Sequence, residues 1–591
     1  MIRGRLADIL VNDKLPKDYR IHGQLDTKAL KKTMLGMAKA NPEMYKMVIP
    51  KVKKLGDEFS TFEGISVGLD DIEPEYAKRD PIIRNTKRSL RQAGTNHKKK
   101  MSILLDAQSK LRDLTSRHPG DMGMMARSGS RGNMNQLMKM VSSPGIVGDY
   151  DGAPIPFLIE RGYSEGLSPA EAWIAGDESR SQVIKGQLGT AEPGEMQKVL
   201  ASVMSEQVIA SDDCGTRNGI SLDSSDPSIE GRYGTSGNLI DGRRAAQLAR
   251  SGGSIRVRSP MTCELESGVC QKCMGSSNRG KSFKIGMNVG IRSAQSLSEP
   301  LTQMALSSKH GVSLVEGDHN KPKGLAAFKQ FVEVPKNFFQ RAPISEVSGK
   351  IMGVSKAPQG GFDINISGTN HYVPPGRDLK VKKGQSIEAG DVLSSGIVAP
   401  DDVVRHKGLG AGREYLVKSL RDVYSESGKE LDPRHFELLA KSQLNYVKIN
   451  GGVPGYVPGD VVSIATLRKS FEGKGSEMAL KDGVGKVLTK AHGAHLPGTK
   501  LTKRVMQDLN KQGINRVNAM SSNMRIEPIM AAATRTPLLN PNWMQRLGYR
   551  YQKATLINAA TFGEKADLHS HNPTPALAVG SELRRDSMGR Y

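Results

Sequence analysis

The sequence predicts a chain of several α+β domains. It has 591 residues, and one hydrophobic core rarely organises more than about 250–300 residues. Hydrophobic residues make up 37% of the chain, which is enough to build folded cores. Segments with apolar residues at helical spacing alternate with segments of short apolar runs broken by Gly and Pro, so both helices and strands are expected.

The charge balance favours a polyanionic partner. The chain carries 85 Lys and Arg against 61 Asp and Glu, a net charge of +24. Such a surplus is typical of proteins that bind nucleic acid or an acidic membrane surface. No apolar run reaches the roughly 18 residues that a membrane span needs, and the N-terminal MIRGRLADILVND does not resemble a signal peptide. We therefore expect a cytoplasmic protein with reduced cysteines and no membrane partner.

The cysteines form a metal-binding pattern. The stretch TCELESGVCQKC holds Cys263, Cys270 and Cys273, and Cys214 lies upstream in DDCGT. Two residues between Cys270 and Cys273 allow both thiolates to face one tetrahedral ion, and the other two cysteines would complete a site of four thiolates. Such a closed site is structural, so we expect one Zn²⁺ that joins two distant segments. The alternative is a set of buried free cysteines.

Two stretches, one on each side of the Met- and Gly-rich MGMMARSGSRGNMNQLMKMV, have helical character. Residues 73–118 predict a hairpin of two charged helices, and apolar side chains recur at helical spacing in the second helix. These side chains are Ile103, Leu104, Ala107, Leu111 and Leu114. Residues 164–206 predict one long helix that contains Gly176, Gly186, Gly189, Gly194 and Pro193, and residues of these types weaken or kink a helix. We therefore expect this helix to bend or to approach a ligand closely.

The downstream part alternates between helical and strand-rich segments. Residues 285–335 predict a helix–loop–helix, and residues 340–400 predict short strands between Gly and Pro turns. Helices are expected near 411–427 and 433–443, followed by a Gly-rich β segment and a mixed C-terminal region. No internal repeat is visible.

The stretch RSAQSLSEPLTQMALSSKHG, which ends at Gly311, closely resembles the trigger loop of the largest subunit, β′, of multisubunit DNA-directed RNA polymerases. Other segments resemble the same family in the family's order. GISVGLDD is similar to the start of the funnel helices, SEGLSPAEAW…GTAEPGEM is similar to the bridge helix, and the four cysteines match the family's second zinc site. The resemblance is good over about residues 35–450 and weak over the last 140.

This resemblance implies a fold class and nine segments. The fold class is α+β multidomain with the architecture of the β′ C-terminal part: funnel hairpin, bridge helix, four-cysteine zinc site, trigger loop, β-rich jaw and mixed clamp region. The implied segments are an N-terminal or pore segment 1–72, a funnel helical hairpin 73–118, an active-centre-proximal loop region 119–160, a bridge helix 161–206, a zinc-binding segment 207–284, a trigger loop with flanking helices 285–336, a jaw-like β-rich domain 337–402, a helical region 403–450 and a C-terminal region 451–591.

The implied function is template-directed nucleotidyl transfer in transcription, but one signature is missing. The family holds catalytic Mg²⁺ with three aspartates in NADFDGD, and this motif is absent. GDYDGAP, with Asp149 and Asp151, mimics the motif but follows the funnel region and lacks the third aspartate. We therefore expect the C-terminal portion of a split β′ that is inactive alone. Drift in the motifs favours a bacteriophage enzyme in the host cytoplasm, and packaging in the virion is left open.

The resemblance assigns catalytic residues in the trigger loop. His310 matches the family's histidine near the β-phosphate, which acts as positional catalyst or proton donor. Gln303 matches a glutamine near the sugar, and Leu306 replaces a methionine that packs on the base. Ser307 stands where the family has an arginine on the phosphates, so we hypothesise that Lys309 supplies that charge.

The bridge-helix resemblance assigns three further residues. Thr190 and Ala191 match the face against the template base pair, and Arg180 is assigned to the same helix near the active centre. Simple helix packing is the alternative role for these positions.

The resemblance also implies partners. They are an N-terminal β′ chain that holds the Mg²⁺ aspartates, β-like subunits, a sigma-like promoter factor, the DNA template, the RNA–DNA hybrid and nucleoside triphosphates. One alternative is a catalytically inactive, zinc-stapled nucleic-acid-binding or structural protein that keeps the polymerase-like shape. Another is a carrier domain, because VKKGQSIEAGDVL resembles a lipoyl or biotinyl hammerhead without its attachment turn.

Overall fold

The structure, a computed structural model, describes residues 6–22, 25–149, 154–277, 280–307, 322–471, 473–493, 495–568, 570 and 572–582. The chain divides into two compact units. The first unit comprises Met1–Gly189 and Leu306–Asn320, and the second comprises Thr190–Ala305 and Lys321–Tyr591. No helix within the described ranges is long and apolar enough to cross a lipid bilayer.

The first unit is helical in its described part. Its α-helices are α1 Leu6–Lys14, α2 Thr27–Ala40, α3 Pro42–Glu63, α4 Tyr76–Gln92, α5 His97–Thr115, α6 Gly120–Ser128, α7 Met134–Val141 and the beginning of α8 Pro169–Met204. Short 3-10 helices cover Lys17–Tyr19, Leu69–Ile72 and Tyr163–Glu165. Local sequence sets these boundaries, because Asp26 and Asn41 accept hydrogen bonds from the first free N–H groups of α2 and α3.

The charged hairpin predicted over 73–118 is present as α4 and α5. Leu104 and Leu111 of α5 are fully buried, and they form one core with Ile83 of α4 and Met138 of α7. Arg79 of α4 is buried and forms an ion pair with Glu165. The periodicity of the sequence therefore identified the buried face of α5 correctly, and α4 is tied to the segment that precedes α8.

The predicted long helix is α8, a continuous helix of 36 residues. Its first turn is fixed by Glu171, whose carboxylate accepts hydrogen bonds from the Ser168 N–H and hydroxyl and from the Glu160 N–H. A buried carboxylate that receives these donors stays ionised, and the pKa of Glu171 is lowered although burial, the largest single influence, raises it.

The second unit combines helices with five small sheets in its described part. Its helices are the end of α8, α9 Gly242–Ser251, α10 Gln271–Met274, α11 Val289–Ser307, α12 Gly324–Glu333, α13 Pro400–Glu426, α14 Pro433–Gln443, α15 Ile464–Lys469, α16 Lys503–Lys511, α17 Trp543–Leu547, α18 Gln552–Phe562 and α19 Thr574–Ala578. Its 3-10 helices cover Pro227–Ile229, Pro260–Thr262, Leu480–Gly483 and Thr536–Leu539.

The strands of this unit are short. They are β1 Ile209–Ser211, β2 Ile220–Asp223, β3 Ser254–Val257, β4 Val269–Cys270, β5 Gly349–Lys356, β6 Phe362–Ile366, β7 Thr369–Val373, β8 Ser386–Ile387, β9 Tyr446–Gly451, β10 Val461–Ser463, β11 Ser476–Ala479, β12 Val487–Leu488, β13 Arg516–Met520 and β14 Arg525–Ile529. The sheet orders are β1-β4, β2-β3, β7-β6-β5-β8, β10-β9-β14 and β11-β13-β12. Among the strand pairs of the described residues, β1-β4 is parallel and the others are antiparallel.

The downstream predictions of secondary structure agree with the structure. The strands expected over 340–400 are the antiparallel sheet β7-β6-β5-β8, which has its own core. The helix expected at 433–443 is α14. The helix expected near 411–427 is the second part of α13, because Gly408, with φ 86° and ψ 171°, kinks α13 and separates it into two helices. Glycine tolerates this left-handed backbone, so Gly408 marks the boundary between the two helices.

The main core of the second unit joins the end of α8, the cysteine segment, α11, α12, α13 and α14. Three aromatic rings lie at its centre. Tyr424 of α13 contacts Phe436 of α14 edge-on at 5.1 Å between centroids, and it contacts Phe328 of α12 at 6.1 Å. The Tyr424 hydroxyl donates to the Leu297 carbonyl of α11 at 2.7 Å. The tyrosine therefore fixes α11 against α13.

A buried ion pair crosses this core. Arg232 and Glu437 of α14 are 1% and 2% exposed, and two guanidinium N–H groups donate to the carboxylate at 2.9 and 2.5 Å. The Ser259 hydroxyl donates to the same carboxylate at 2.6 Å, and the Arg232 Nε donates to the Ser228 carbonyl at 2.9 Å. Each charge is thus hydrogen bonded, which is the condition for burying an ion pair without a large penalty.

Removing one charge of this pair should destabilise the second unit strongly. Glu437→Gln leaves Arg232 buried without a counter-charge, and we expect a loss of about 3–5 kcal/mol in the free energy of unfolding. Urea denaturation measures it. The matched control is Glu477→Gln, which breaks an exposed pair with Arg516 and should cost less than about 1 kcal/mol. Equal losses for the two variants would contradict this account of the core.

Candidate metal centre and neighbouring site residues

The structure brings the four cysteines together. Their sulfur atoms all lie within 4.8 Å of one another, and within the described ranges no other group of three or more His, Cys, Asp or Glu could hold a metal ion. Cys263, Cys270 and Cys273 are buried, whereas Cys214 is partly exposed. None of them forms a disulfide. The prediction of a four-cysteine cluster is therefore confirmed as a cluster that could bind a metal.

The geometry fits a tetrahedral metal. The Cys214 and Cys273 sulfurs are 3.7 Å apart. Four thiolates at the usual Zn–S distance of about 2.3 Å would be separated by about 3.8 Å, so this pair of sulfurs is already close to the spacing of a zinc site. The residues present thus suit Zn²⁺, which would supply a structural crosslink between the two segments.

Backbone N–H groups orient the sulfurs. The Cys270 sulfur accepts from the Cys273 N–H at 3.3 Å, and the Cys263 sulfur accepts from the Cys270 N–H at 3.4 Å. Gly268 and Gly275 bracket this turn with φ 74° and 81°. A Cβ at Gly268 would lie 2.4 Å from the Val208 carbonyl, so a side chain there is excluded by the neighbouring strand as well as by the backbone angle.

The electrostatic surroundings favour thiolates. The Arg258 Nη2 lies 3.2 Å from the Cys214 sulfur and 3.4 Å from those of Cys270 and Cys273. Arg258 also pairs with Asp213 at 2.7 Å. A guanidinium at this position offsets part of the negative charge that four thiolates would bring.

Crowding of the thiols separates their pKa values. Hydrogen bonding from Cys214, then from Cys270 and Cys273, places the pKa of Cys263 well below its ordinary value. Contact with Cys214 first, and then with Cys263 and Cys270, raises the pKa of Cys273. Protons are therefore shared among the sulfurs, and a metal that binds all four must displace them.

Buried cations anchor the cysteine segment to α13 and α14. Arg434 donates to the carbonyls of Met274 and Ser276 at 3.0 and 2.6 Å, and Lys441 donates to the Gly268 carbonyl at 2.6 Å. Arg413 of α13 donates to the Met261 carbonyl at 2.9 Å. Burial lowers the pKa of Arg413 to about 10, since carbonyl groups and no carboxylate receive its hydrogen bonds.

The predicted trigger-loop residues fall partly within the described structure. Gln303 lies on the exposed side of α11, and its Oε1 accepts a hydrogen bond from Lys429 Nζ at 2.6 Å. Leu306 lies in the last turn of the same helix. Lys309 and His310 lie outside the described residues. The roles assigned to these four residues therefore stay predictions.

The first half of α11, which we call its base, is held in place by contacts on the buried side of the helix. Ser293 is buried and shares a hydrogen bond of 2.8 Å with His435 Nδ1 of α14. Burial lowers the pKa of His435, which favours a neutral imidazole at this contact. Leu297 and Leu301 are fully buried in the main core.

The bridge-helix residues all lie on α8. Thr190 and Ala191 are exposed. Arg180 is also exposed, donates to Asp177 at 3.4 Å and lies over the Trp173 ring at 6.0 Å. Their assigned contacts with a template stay predictions. Asp151 lies outside the described residues, and the structure therefore leaves the role of GDYDGAP open.

Sequence reasoning missed two residues of these sites, Arg258 and Lys429. Arg258 lies only five positions before Cys263, but a single arginine in a basic chain carries no signal. Lys429 is 126 residues from Gln303 and reaches it only through packing of α11 on α13. Neither residue could be identified without the fold.

Zinc should be present at about one ion per chain, and Cys273→Ser should release it. Loss of one thiolate opens a closed site, so we expect lower zinc content and a lower melting temperature. Lowering the pH should also release zinc, because the thiolates bind protons in competition with the metal. Mass spectrometry of the metal content and thermal denaturation check this.

Lys272→Ala is the matched control for the cysteine variant. Lys272 lies between two cysteines in sequence, but its side chain pairs with Asp213 at 2.7 Å. This variant should keep its zinc. Undiminished zinc in Cys273→Ser would show that the cluster is not a four-thiolate site.

Comparison with known proteins finds a matching family model and several similar proteins. Residues 166–360 match the family model of RNA polymerase Rpb1, domain 5. The chain is 29% identical over 537 residues to DNA-directed RNA polymerase subunit beta′ of Acidothermus cellulolyticus, with 82% of this chain and 40% of that subunit covered. It is 28% identical to the same subunit of Acetivibrio thermocellus, with 71% and 39% covered, and of Desulforamulus reducens, with 82% and 45% covered.

The chain thus spans less than half the length of the curated relatives it matches. Its mixture of helices and sheets fits an α+β region of such a subunit. Taken together, these likenesses support a chain that resembles a C-terminal part of the β′ subunit of DNA-directed RNA polymerase.

Proposed function

We propose that this chain is the C-terminal β′ component of a multisubunit DNA-dependent RNA polymerase. The observation that carries the proposal is the coincidence of three features inside residues 166–360, the stretch that matches the Rpb1 model. These features are the long helix α8, the four-cysteine cluster and the helix α11 that leads into the trigger-loop motif. Their order along the chain is the order of the resembling motifs.

The catalytic metal would have to come from elsewhere. In nucleotidyl transfer, Mg²⁺ would stabilise the charge on the phosphates. Magnesium prefers carboxylate ligands, and within the described ranges no cluster of three or more metal-ligating groups contains a carboxylate. In the proposed assembly the Mg²⁺-binding aspartates belong to another polypeptide, an N-terminal β′ chain, and this chain is inactive alone.

The residues of this chain would position the nucleotide. Gln303 would contact the sugar and Leu306 the base, while His310 and Lys309 would act at the phosphates as proton donor and point charge. The fixed base of α11 supports this assignment, since a helix anchored through Ser293 and Leu297 gives a constant starting point for a closing segment. Closure over the nucleotide would exclude water from the reacting phosphate.

The bridge helix would face the template. Thr190 and Ala191 would lie against the base pair in the active centre, with Arg180 nearby on the same helix. Their exposure on α8 is compatible with contact to a ligand. The net charge of +24 fits a subunit that faces a DNA duplex and an RNA–DNA hybrid, because such surfaces bind phosphates without reading bases.

We also propose the cellular setting. β-like subunits would complete the enzyme, and a sigma-like factor would direct it to promoters. Ser298 and Leu301 replace glycines of the trigger-loop motif, and this drift favours a bacteriophage enzyme that acts in the cytoplasm of its bacterial host.

A second candidate is a polymerase-like protein that binds nucleic acid without catalysis. Ser307, in place of the phosphate-binding arginine, favours it, as does the lack of a carboxylate cluster among the described residues. This candidate predicts the same zinc content and the same affinity for nucleic acid, so only an activity assay separates the two.

Reconstitution tests the proposal. The chain is combined with the partner polypeptides, and extension of RNA is measured on an RNA–DNA scaffold. We expect no extension without this chain, full extension with it, and an effect of about 100-fold for His310→Ala if the imidazole donates a proton. Full-rate extension by the partners alone would refute a catalytic role and leave the second candidate.

Lys309→Ala should slow nucleotide addition far more than Ser307→Ala does. Lys309 would supply the positive charge that the family places at position 307, and a serine hydroxyl there contributes little to the phosphates. Rapid-quench kinetics on the reconstituted enzyme compares the two variants, with Lys309→Arg as the charge-preserving control. Equal rates for both alanine variants would contradict this role of Lys309.

A further inference from the structure

The helix α3 carries an apolar stripe that extends beyond the part of the helix packed against α1 and α2. Val48, Val52, Leu55, Phe59 and Phe62 follow one another at intervals of 4, 3, 4 and 3 residues, which places them on one face of the helix. The first two pack in a core formed with α1 and α2, where Val48 is 6% exposed. Beyond Leu55 the stripe continues along α3, and no element within the described residues covers it.

The uncovered part extends through residues 56–70, which we name the acidic arm. Every residue of the arm is exposed. Phe59 and Phe62 are 41% and 88% exposed, and Ile65, Val67 and Leu69 are 49%, 55% and 83% exposed. Five large apolar side chains in one exposed run are unusual for a surface that faces only water.

The helical part of the arm is stabilised locally, by ion pairs within α3. Lys53 pairs with Asp57 at 2.6 Å and Lys54 pairs with Glu58 at 3.6 Å, each one turn apart. Gly64 ends the helix with φ 59°. The sequence thus maintains two extra turns that expose the stripe, which indicates that the stripe serves contact with another molecule.

The charge of the arm indicates the kind of molecule. The arm, residues 56–70, contains four acidic residues and no Lys or Arg, in a chain whose net charge is +24. Nucleic acid would be repelled by this segment, and so would the acidic arm of a second copy. A protein surface with an apolar groove and a rim of Lys and Arg is complementary in both respects.

We propose that the acidic arm docks into such a basic-rimmed apolar groove on a partner polypeptide of the polymerase assembly. The proposal rests on the proposed function, because that function supplies the partner polypeptides. Phe59 and Phe62 enter the groove along the helical stripe, and the acidic side chains face its rim. The arm thereby attaches the first unit of this chain to the rest of the enzyme.

Site-specific crosslinking tests where the arm lies. Phe62, the most exposed residue of the stripe, is replaced by the photoreactive p-benzoylphenylalanine in the reconstituted assembly. We expect a crosslink to a partner polypeptide. A crosslink to a second copy of this chain, a crosslink to nucleic acid, or none at all overturns the proposal.

Paired variants test whether the contact holds the assembly together. Phe59→Ser with Phe62→Ser should weaken association with the partner polypeptides at least about tenfold, because central aromatic anchors dominate interface affinity. The melting temperature of the isolated chain should not change, since both side chains are exposed. The matched control is Met352→Ser with Leu577→Ser, which removes side chains that are 61% and 63% exposed elsewhere and should leave the affinity unchanged. Undiminished affinity of the arm variant overturns the proposal.

Charge reversal tests the basic rim. Glu63→Lys with Asp70→Lys should weaken association most at low salt, because the attraction across the rim is screened as salt rises. An affinity that is the same after charge reversal would overturn the proposed complementarity between the acidic arm and a basic rim. The docking inference and the proposed function can be told apart by these results. An active, fully assembled enzyme that carries the arm variants would refute only the docking inference. A wild-type chain that never associates with the partner polypeptides would refute both.

Discussion

The buried carboxylate of Glu437 sets the arrangement of the second unit. It receives two hydrogen bonds from Arg232 and one from Ser259, and both donors belong to the segment that carries the cysteines. Because a buried charge is costly without these donors, α14 can pack on that segment in only one register. Two residues before Glu437, His435 contacts Ser293 of α11. One helix therefore aligns both the cysteine cluster and the base of α11.

Through this dependence, a metal bound at the cysteines would also affect α11, which contributes no ligand to it. Zinc on four thiolates would fix the loop around Cys270 and Cys273, and Arg434 and Lys441 hold the carbonyls that flank this loop. Both cations lie on α14, so disorder in the loop would remove buried partners from the helix that supports α11. We expect damage at the cysteines to reach Gln303 through these contacts, although the metal and the glutamine share no ligand.

The sequence predicted features that depend on neighbours along the chain. The cysteine cluster followed from short spacings, and the buried face of α5 followed from the recurrence of Leu104 and Leu111. Contacts between distant segments left no such pattern, because Arg232 and Glu437 are 205 residues apart and each looks like an ordinary surface charge. The part of α13 that follows Gly408 was predicted, whereas the helix that runs from Pro400 to this glycine was not. The apolar stripe on α3 follows from the spacing of its residues in the sequence, but its exposure depends on where α1 and α2 end.

The departures from the trigger-loop motif have a packing explanation. Ser298 is 2% exposed and donates to the Ala294 carbonyl at 2.6 Å, and Leu301 is fully buried in the main core. Ala294, Leu297, Leu301 and Met304 are buried at helical spacing, whereas Gln303 faces outward. Two glycines of the motif were thus replaced on the inner face of α11, where a side chain improves helix stability and fills the core. These two departures change how α11 is held and leave the outward Gln303 unchanged, whereas the departures at Leu306 and Ser307 lie at the end of the helix.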